Sequence, residues 1–167
     1  MSEADLDARL QRLERTVDGL LQRVQALPSD VLYRAPEVGE WPVMSTLAHL
    51  SELLPYWAHQ AAAIAAQPGR PVGRDHDDPD RIGAIEQHGH DSLASIVPRI
   101  RAALDECLQT LRSIPADAWQ QAGQHPRRGR MTVTELVDAF LVAHADEHAA
   151  QVQATLEGLE GLSTKRA

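Results

Sequence analysis

The sequence predicts an all-α protein, a four-helix bundle built from the whole chain of 167 residues. Hydrophobic residues make up 43% of the chain but aromatic residues only 4%, so the apolar mass is mostly Leu, Ala and Val, as suits helices packed on helices. Apolar residues recur at spacings of three and four along four segments, and no segment shows the alternation of a convincing strand. We therefore predict a single domain over residues 1–167.

The first predicted helix begins at Ser2, which can cap it, with Asp5 three residues on as in a capping box. It ends at Pro28, and the turn-rich residues 29–40 predict an irregular segment. Because the apolar face is heptad-like along its length, we also expect a homodimer. The residues of this face are Leu6, Leu10, Leu13, Val17, Leu20, Val24 and Leu27.

The second predicted helix has Pro42 in its first turn and runs until the sequence PGRPVG. Pro55 lies inside it and is expected to free the carbonyl of Ser51 and bend the helix. The polar stretch PGRPVGRDHDDPD that follows predicts a loop, in which His76 stands among acidic residues without a regular metal-binding spacing. This long second connection can let two neighbouring helices run parallel, which predicts one long crossover in the bundle.

The third predicted helix has Asp78 and Pro79 as a candidate cap and first position, but two glycines weaken its start. We expect it from about Asp91 to just before Pro115. Its only cysteine lies on the apolar face and is interpreted as a small core residue. The residues of that face are Leu93, Val97, Ile100, Leu104, Cys107, Leu108 and Leu111.

The fourth predicted helix follows a second loop, GQHPRRGR, and opens with a capping box of Thr132 and Glu135. Its buried stripe is defined by Val133, Val137, Phe140 and Leu141. Extending that stripe by steps of three and four places His144 and His148 on the core side, followed by Val152 and Thr155.

Two histidines four residues apart on one helical face can converge on a single metal ion. His49, near the edge of the apolar stripe of the second helix, faces the same interior if that helix bends at Pro55. A site of three histidines leaves coordination positions for water and substrate, as catalytic metal centres require. The alternative interpretation of His144 and His148 is a polar pair satisfied by hydrogen bonds.

The remaining histidines predict no ligands. His59 lies off the proposed cluster and is expected at the surface, as is His90, for which the alternative is a position at the mouth of the bundle. Replacing His59, His76 or His125 is expected to leave metal binding intact. Because an imidazole must be neutral to bind a metal, affinity is expected to fall as pH drops through about 6.5, the ordinary histidine pKa.

The composition excludes several classes of function. A net charge of −8 argues against binding to nucleic acid, which requires a basic surface. No apolar run approaches the roughly 20 residues of a membrane span, and the N-terminus lacks the apolar core of a signal peptide. A single cysteine allows no internal disulfide. We therefore expect a cytoplasmic protein with no nucleic-acid or membrane partner.

Two stretches resemble signatures of the DinB/YfiT-like superfamily. EWPVMSTLAHLSELLPYW is similar to its second-helix signature, and HADEHAAQVQ is similar to its closing signature of two histidines and a Gln. The order and number of helices also agree, so the resemblance covers nearly the whole chain. It implies a four-helix bundle with a divalent metal at one end, held by three histidines that correspond here to His49, His144 and His148.

The resemblance also implies a class of reaction. Relatives include bacillithiol- and mycothiol-dependent S-transferases, a thiol-dependent isomerase and metal-dependent hydrolases. We expect a thiol S-transferase that acts on electrophilic small molecules with a thiol such as bacillithiol or mycothiol. Three imidazoles suit Zn, Ni, Cu or Fe, and we expect Zn, Ni or Fe. The alternatives are a metal-dependent hydrolase and a non-catalytic metal-binding stress-response protein.

Five further residues are candidates for the site. Glu147 can orient a ligand or act as a base, and Gln151 can donate or accept a hydrogen bond behind a ligand. Arg127, Arg128 and Arg130 can hold the carboxylates of an acidic thiol. The alternative for Glu147 is a solvated helix face, and for the arginines a solvated basic loop.

Overall fold

The computed structural model describes residues 1–75 and 77–164, and within them four long helical segments pack as a bundle. The predicted fold class is therefore confirmed. His76, for which we predict a solvated loop, lies outside the described residues. The elements in chain order are α1 (Glu3–Gln25), α2 (Ser29–Leu32), α3 (Val43–Ala66), α4 (Pro79–His88), α5 (Leu93–Arg112), a 3-10 turn (Ala118–Gln120), β1 (Ala122–His125), β2 (Gly129–Thr132), α6 (Val133–Val137), a π-helical turn (Asp138–Val142) and α7 (Ala143–Thr164).

Helix α1 is capped as predicted, since the Ser2 side chain accepts a hydrogen bond of 3.1 Å from the Asp5 backbone N–H. Its apolar face packs against α5 and α7 of the same chain. The heptad-like pattern is thus explained by contacts within the bundle, and the homodimer stays a prediction. The buried residues of α1 are Leu10, Leu13, Val17, Leu20, Leu21 and Val24.

The connections contain more structure than the sequence predicts. The segment expected to be irregular holds the short helix α2, and Pro42, predicted in the first turn of its helix, is the N-cap directly before α3. Asp78 and Pro79 do begin a helix, but it is the separate α4, which ends at His88 and has Gly89 as its C-cap. Helix α5 starts afresh behind Ser92, whose side chain accepts from the Ser95 N–H. The long connection between α3 and α5 therefore carries a helix of its own.

The loop predicted between the third and fourth helices is a β-hairpin, so the expectation of no strand is wrong. Strands β1 and β2 pair antiparallel, with His125 opposite Gly129. The segment around residues 69–72 adds a third line of hydrogen bonds, in which Val72 N–H donates to Gln124 O at 3.0 Å and Gln124 N–H donates to Arg70 O at 2.9 Å. These non-local bonds stabilise strands that are too short and polar to show an alternating pattern.

The last bundle segment begins with the predicted capping box of Thr132 and Glu135. Beyond it, the buried stripe runs through Leu141, Ala145 and His148, whereas Phe140 and His144 lie half-buried at its edge. The prediction that Phe140, Leu141, His144 and His148 lie on one buried stripe is therefore wrong for Phe140 and His144. The π-helical turn (Asp138–Val142) is the reason, because its wider winding changes the register within the turn, where Phe140 lies, and in the residues that follow, such as His144.

Helix α1 fixes the position of this segment through two polar contacts. The guanidinium of Arg9 donates to both carboxylate oxygens of Asp138, at 2.6 and 2.9 Å. One turn further on, Arg12 and Thr16 donate to the two oxygens of Asp146 at 2.6 and 2.7 Å. Asp146 lies between His144 and His148, so this contact holds the histidine-bearing turn of α7 against the bundle.

Two further features were predicted from the sequence: the place of the cysteine in the core and the lack of an apolar run long enough to span a membrane. Cys107 is fully buried in α5, and burial raises the pKa of its thiol to about 12, so it is a core residue as predicted. Of the helices described, not one is long and apolar enough to cross a bilayer.

Candidate metal centre

The structure brings together the three histidines that the sequence singles out. His49 comes from α3 and His144 and His148 from α7, and one ring nitrogen of each lies within 4.8 Å of the others. The ring centroids of His49 and His148 are 5.0 Å apart and those of His144 and His148 4.5 Å, with nearly perpendicular planes. Nitrogen atoms that converge from different directions in this way can serve as ligands of one ion.

The two histidines of α7 each have a hydrogen-bond acceptor three residues later. His144 Nδ1 lies 3.0 Å from Glu147 Oε2, and His148 Nδ1 lies 2.9 Å from Gln151 Oε1. An acceptor at Nδ1 places the proton there and leaves the Nε2 lone pair for a metal. Glu147 and Gln151 thus each contact one histidine. Glu147 contacts His144 and not the adjacent His148, and the Glu147 side chain is 68% exposed.

His49 repeats the same arrangement with Glu52, which the sequence analysis missed. His49 Nδ1 lies 3.6 Å from Glu52 Oε2, longer than a hydrogen bond, so the attraction is mainly electrostatic. The other carboxylate oxygen of Glu52 pairs with the buried guanidinium of Arg74. Burial acts to raise the pKa of Glu52, but the adjacent His49 and Arg74 outweigh it and hold the pKa below its usual value. Glu52 is therefore an ionised partner for the His49 N–H.

The buried imidazoles are neutral at physiological pH. Burial lowers the pKa of His148 to about 4, partly opposed by Gln151, and burial likewise lowers the pKa of His49. The Nε2 of His148 is buried and has no hydrogen-bond partner among the described residues. A buried nitrogen lone pair without a donor is costly unless a ligand uses it. Two buried neutral imidazoles, with that of His144 beside them, therefore form a donor set that fits a divalent transition metal.

The histidines line a cavity of about 790 Å³. Its walls include three aromatic rings, of which Trp41 stacks on His148 at 6.5 Å and Trp57 stacks on Phe140 at 4.0 Å between ring centroids. Trp57 is therefore both a core residue, as predicted, and a wall of the cavity. A cavity of this size accommodates a small-molecule ligand.

The arginines of the hairpin do not all reach this cavity. Arg127 and Arg128 line it together with Arg74 and Arg81, whereas Arg130 lines only an adjoining shallow depression, which Arg128 lines as well. Neither Arg74 nor Arg81 was a candidate from sequence.

Most of the remaining histidines lie where the sequence analysis expects them. His59 is 58% exposed and pairs with Glu106 at 3.1 Å. His90 is exposed as predicted. His88, for which no position was predicted, is partly buried and pairs with Asp91.

His125 is buried and lines the cavity, which the sequence did not predict. Its Nδ1 accepts hydrogen bonds from the backbone N–H groups of Arg127 and Arg128 at 3.2 and 3.3 Å. Its ring stacks on Phe140 with centroids 5.1 Å apart. Burial lowers its pKa, helped by the charge of Arg128, so that the Nδ1 lone pair remains available to hold the hairpin turn.

The ring of His125 fits only because residue 73 is a glycine. Gly73 has a φ of 89°, and a Cβ atom there would lie 2.7 Å from His125 Cδ2 and 2.9 Å from Nε2. Gly69 provides a control, because its φ is 86° but nothing lies within 4 Å of its Cβ position. We expect Gly69→Ala to cost about 1–2 kcal/mol of unfolding free energy from backbone strain alone, and Gly73→Ala to cost clearly more. Urea denaturation of both variants measures this, and equal losses would contradict the close contact.

Comparison with known families identifies one match. The profile of the DinB superfamily matches residues 12–152. A search of curated proteins gives no match.

Solved structures with the same fold include three informative cases. YfiT from Bacillus subtilis, described as a probable metal-dependent hydrolase with an unusual four-helix bundle topology, is 18% identical with a TM-score of 0.77, covering 96% of this chain and 90% of that one. The four-helix bundle protein TT2238 is 16% identical with a TM-score of 0.65, covering 89% and 98%. A mycothiol-dependent maleylpyruvate isomerase is 12% identical with a TM-score of 0.63, covering 92% of this chain but only 60% of its own. At these identities the likeness shows the fold.

Proposed function

The chain belongs to the DinB superfamily, and we propose that it is a divalent-metal-dependent enzyme that joins a low-molecular-weight thiol to an electrophilic small molecule. The observation that carries the proposal is the convergence of His49, His144 and His148 on one wall of a ligand-sized cavity. A divalent ion held by three neutral imidazoles supplies Lewis acidity, which favours the thiolate form of a bound thiol. A thiol-dependent relative of the same fold supports this choice.

The residues around the histidines have defined tasks in this proposal. Glu52, Glu147 and Gln151 orient the imidazoles through their Nδ1 atoms. The exposed carboxylate of Glu147 also lines the cavity, where it can accept the proton that the thiol releases. The aromatic walls exclude water from the thiolate, which then forms a bond to the electrophilic carbon as the leaving group departs with its electron pair.

A metal-dependent hydrolase is the second candidate. It is supported by the description of YfiT, the solved structure with the TM-score of 0.77, and by the same carboxylate, since Glu147 can also accept a proton from an attacking water. The two candidates differ in whether turnover requires an added thiol.

The test uses purified protein loaded with Zn²⁺, Ni²⁺ or Fe²⁺ and the same protein after chelation. We expect 1-chloro-2,4-dinitrobenzene to be converted into a thioether only when both metal and a thiol such as mercaptosuccinate are present. Hydrolysis of p-nitrophenyl acetate that needs metal but no thiol would instead favour the hydrolase. Metal binding without either reaction would overturn both and leave a non-catalytic metal-binding protein, the stress-response alternative.

The cytoplasmic location, the homodimer and the choice of bacillithiol or mycothiol as the thiol stay predictions. For the homodimer, we expect sedimentation to give twice the mass of one chain at micromolar concentration. A single-chain mass over a wide concentration range would contradict it.

A further inference from the structure

We infer that Arg74 is a positioning residue of the metal centre, because it holds the carboxylate of Glu52 in the place from which that carboxylate faces the Nδ1–H of His49. The inference rests on the proposed function for the metal ion and its three histidines, and it requires neither a thiol nor an electrophile. It adds a residue from the connection between α3 and α4 on which the affinity for the metal depends.

The contact at Nδ1 is looser for His49 than for the other two histidines. His144 and His148 have acceptors at 3.0 and 2.9 Å, whereas His49 Nδ1 and Glu52 Oε2 are 3.6 Å apart. Both of these atoms are buried, and neither has a hydrogen-bond partner among the described residues. A buried donor and a buried acceptor that face each other are best satisfied by each other. The position of the Glu52 carboxylate therefore decides how firmly His49 is held.

That position is set by Arg74 from the other side. The Arg74 guanidinium pairs with Glu52 Oε1, the oxygen that does not face His49. Its second terminal nitrogen lies 3.4 Å from Asp78 Oδ1, and its carbon lies 3.8 Å from the centroid of the Tyr56 ring. The Arg74 side chain is only 8% exposed, so these contacts are little screened by salt. A guanidinium fixed on three sides leaves the carboxylate little freedom to turn away from His49.

The contacts of Arg74 also argue against a part in ligand recognition, although it lines the cavity. Both of its terminal nitrogens face carboxylates of the protein, Glu52 and Asp78, so its charge is compensated. Its effect on the site is therefore indirect and passes through Glu52. A carboxylate that accepts from the free N–H of a ligating imidazole orients the ring and raises its basicity toward the metal.

Two other roles of Arg74 make different predictions. If the ion pair only ties the connection to α3, loss of Arg74 lowers the free energy of unfolding but leaves the metal affinity of the folded protein unchanged. If Arg74 acts only through its own positive charge, its loss strengthens the binding of a cation. The positioning role alone predicts weaker metal binding, and only while Glu52 is present.

The experiment titrates each metal-free variant with Co²⁺ and follows the visible absorption of the bound ion, with urea denaturation of the metal-free protein as a check on folding. We expect R74Q to bind Co²⁺ about tenfold more weakly than the parent does. R74K should lose about threefold, because lysine keeps the charge but cannot contact both carboxylates in the same way. In the E52Q background R74Q should cause no further loss, because no carboxylate remains to be positioned.

Arg127 supplies a matched control. It lines the same cavity and also forms an ion pair with a carboxylate, but that carboxylate is Asp75, at 2.7 Å, and not Glu52. R127Q should therefore bind Co²⁺ as the parent does. A loss in R127Q equal to that in R74Q would show a general effect of cavity charge and would overturn the inference.

The remaining outcomes are equally decisive. Parent affinity in R74Q, or the same loss from R74Q with and without Glu52, would overturn the inference and leave the metal centre intact. An R74K that binds as weakly as R74Q would also overturn it, because packing on Tyr56 would then be the cause. If R74Q does not fold because Glu52 is left buried without its partner, R74K decides: a loss that disappears in the E52Q background supports the inference, and parent affinity overturns it. A parent protein that binds no Co²⁺ would overturn the inference and the metal centre together.

Discussion

Replacing His49, His144 or His148 with Ala is expected to weaken the binding of a divalent ion by more than about 100-fold, and replacing two of them to abolish it. Substitution of residues that only support a metal ligand commonly costs 10–100-fold, so the loss of a ligand should exceed that range. The loss need not be equal at the three positions. His144 and His148 share one helix, whereas His49 reaches the site through the packing of α3. Competition of Zn²⁺ or Co²⁺ with a chromophoric chelator measures the affinities.

Two kinds of control accompany this series. H59A and H125N should bind metal as the parent does, because neither residue belongs to the cluster of three histidines found among the described residues. The sequence alone predicts the same for H76A. The metal affinities of E52Q and Q151L should lie between those of the ligand variants and those of the controls. We expect losses of about 10–100-fold, because these substitutions remove partners of Nδ1 and leave the ligands in place. A triple alanine variant that binds as tightly as the parent would place the site elsewhere and leave His144 and His148 as a polar pair of the core.

The histidines could be predicted because helical periodicity is a local property. His144 and His148 lie four residues apart, and that spacing alone puts them on one face whatever the rest of the chain does. The residues that lie against the Nδ1 atoms of the histidines also follow a pattern visible in the sequence. Glu52, Glu147 and Gln151 each stand three residues after their histidine. Of these three, only Gln151 was predicted from its position one turn beyond a histidine, whereas Glu147 was predicted as the neighbour of His148. Applied to His49, the same spacing would have indicated Glu52.

Other parts of the site depend on long-range packing and have no local signal. Arg81 reaches the cavity only because α4 forms in the connection that the sequence assigned to a loop and an uncertain helix start. His125 reaches it through a hairpin stabilised by hydrogen bonds to residues 69–72, some fifty positions earlier in the chain. The π-helical turn changes the exposure of Phe140 and His144, and no residue type in that stretch marks it. Such features follow from the assembled bundle and not from any one segment.

Acid is expected to destabilise the metal-free protein strongly between pH 6.5 and about 4. In the folded state the pKa of His148 is about 4, whereas the ordinary value is 6.5. Above pH 6.5 the imidazole is neutral in both states and does not affect their balance. As pH falls below 6.5 the unfolded chain takes up the proton first, so the free energy of unfolding decreases until the folded state is protonated as well. For His148 alone the loss amounts to about 3 kcal/mol.

His49 and His125 act in the same direction, because burial lowers the pKa of each. The lowered values also change the expected pH dependence of metal binding. The ordinary histidine pKa predicts that affinity falls through about 6.5, but protons compete for His49 and His148 only at lower pH. Their contribution to metal affinity should therefore persist below pH 6.5.

Urea denaturation in the presence of a chelator, repeated from pH 8 to pH 4, measures the destabilisation. In H148Q the titrating group is absent, so the decline should become shallower by roughly the contribution of His148. H59Q should follow the parent, since His59 is exposed at the surface. Metal added at 1,000 times its dissociation constant should raise the unfolding free energy by about 4 kcal/mol near neutral pH, and this gain should shrink as the imidazoles protonate. A free energy of unfolding that stays level from pH 6.5 to pH 4.5 would mean that His148 is charged in the folded protein, which is incompatible with a neutral metal ligand held ready in the bundle.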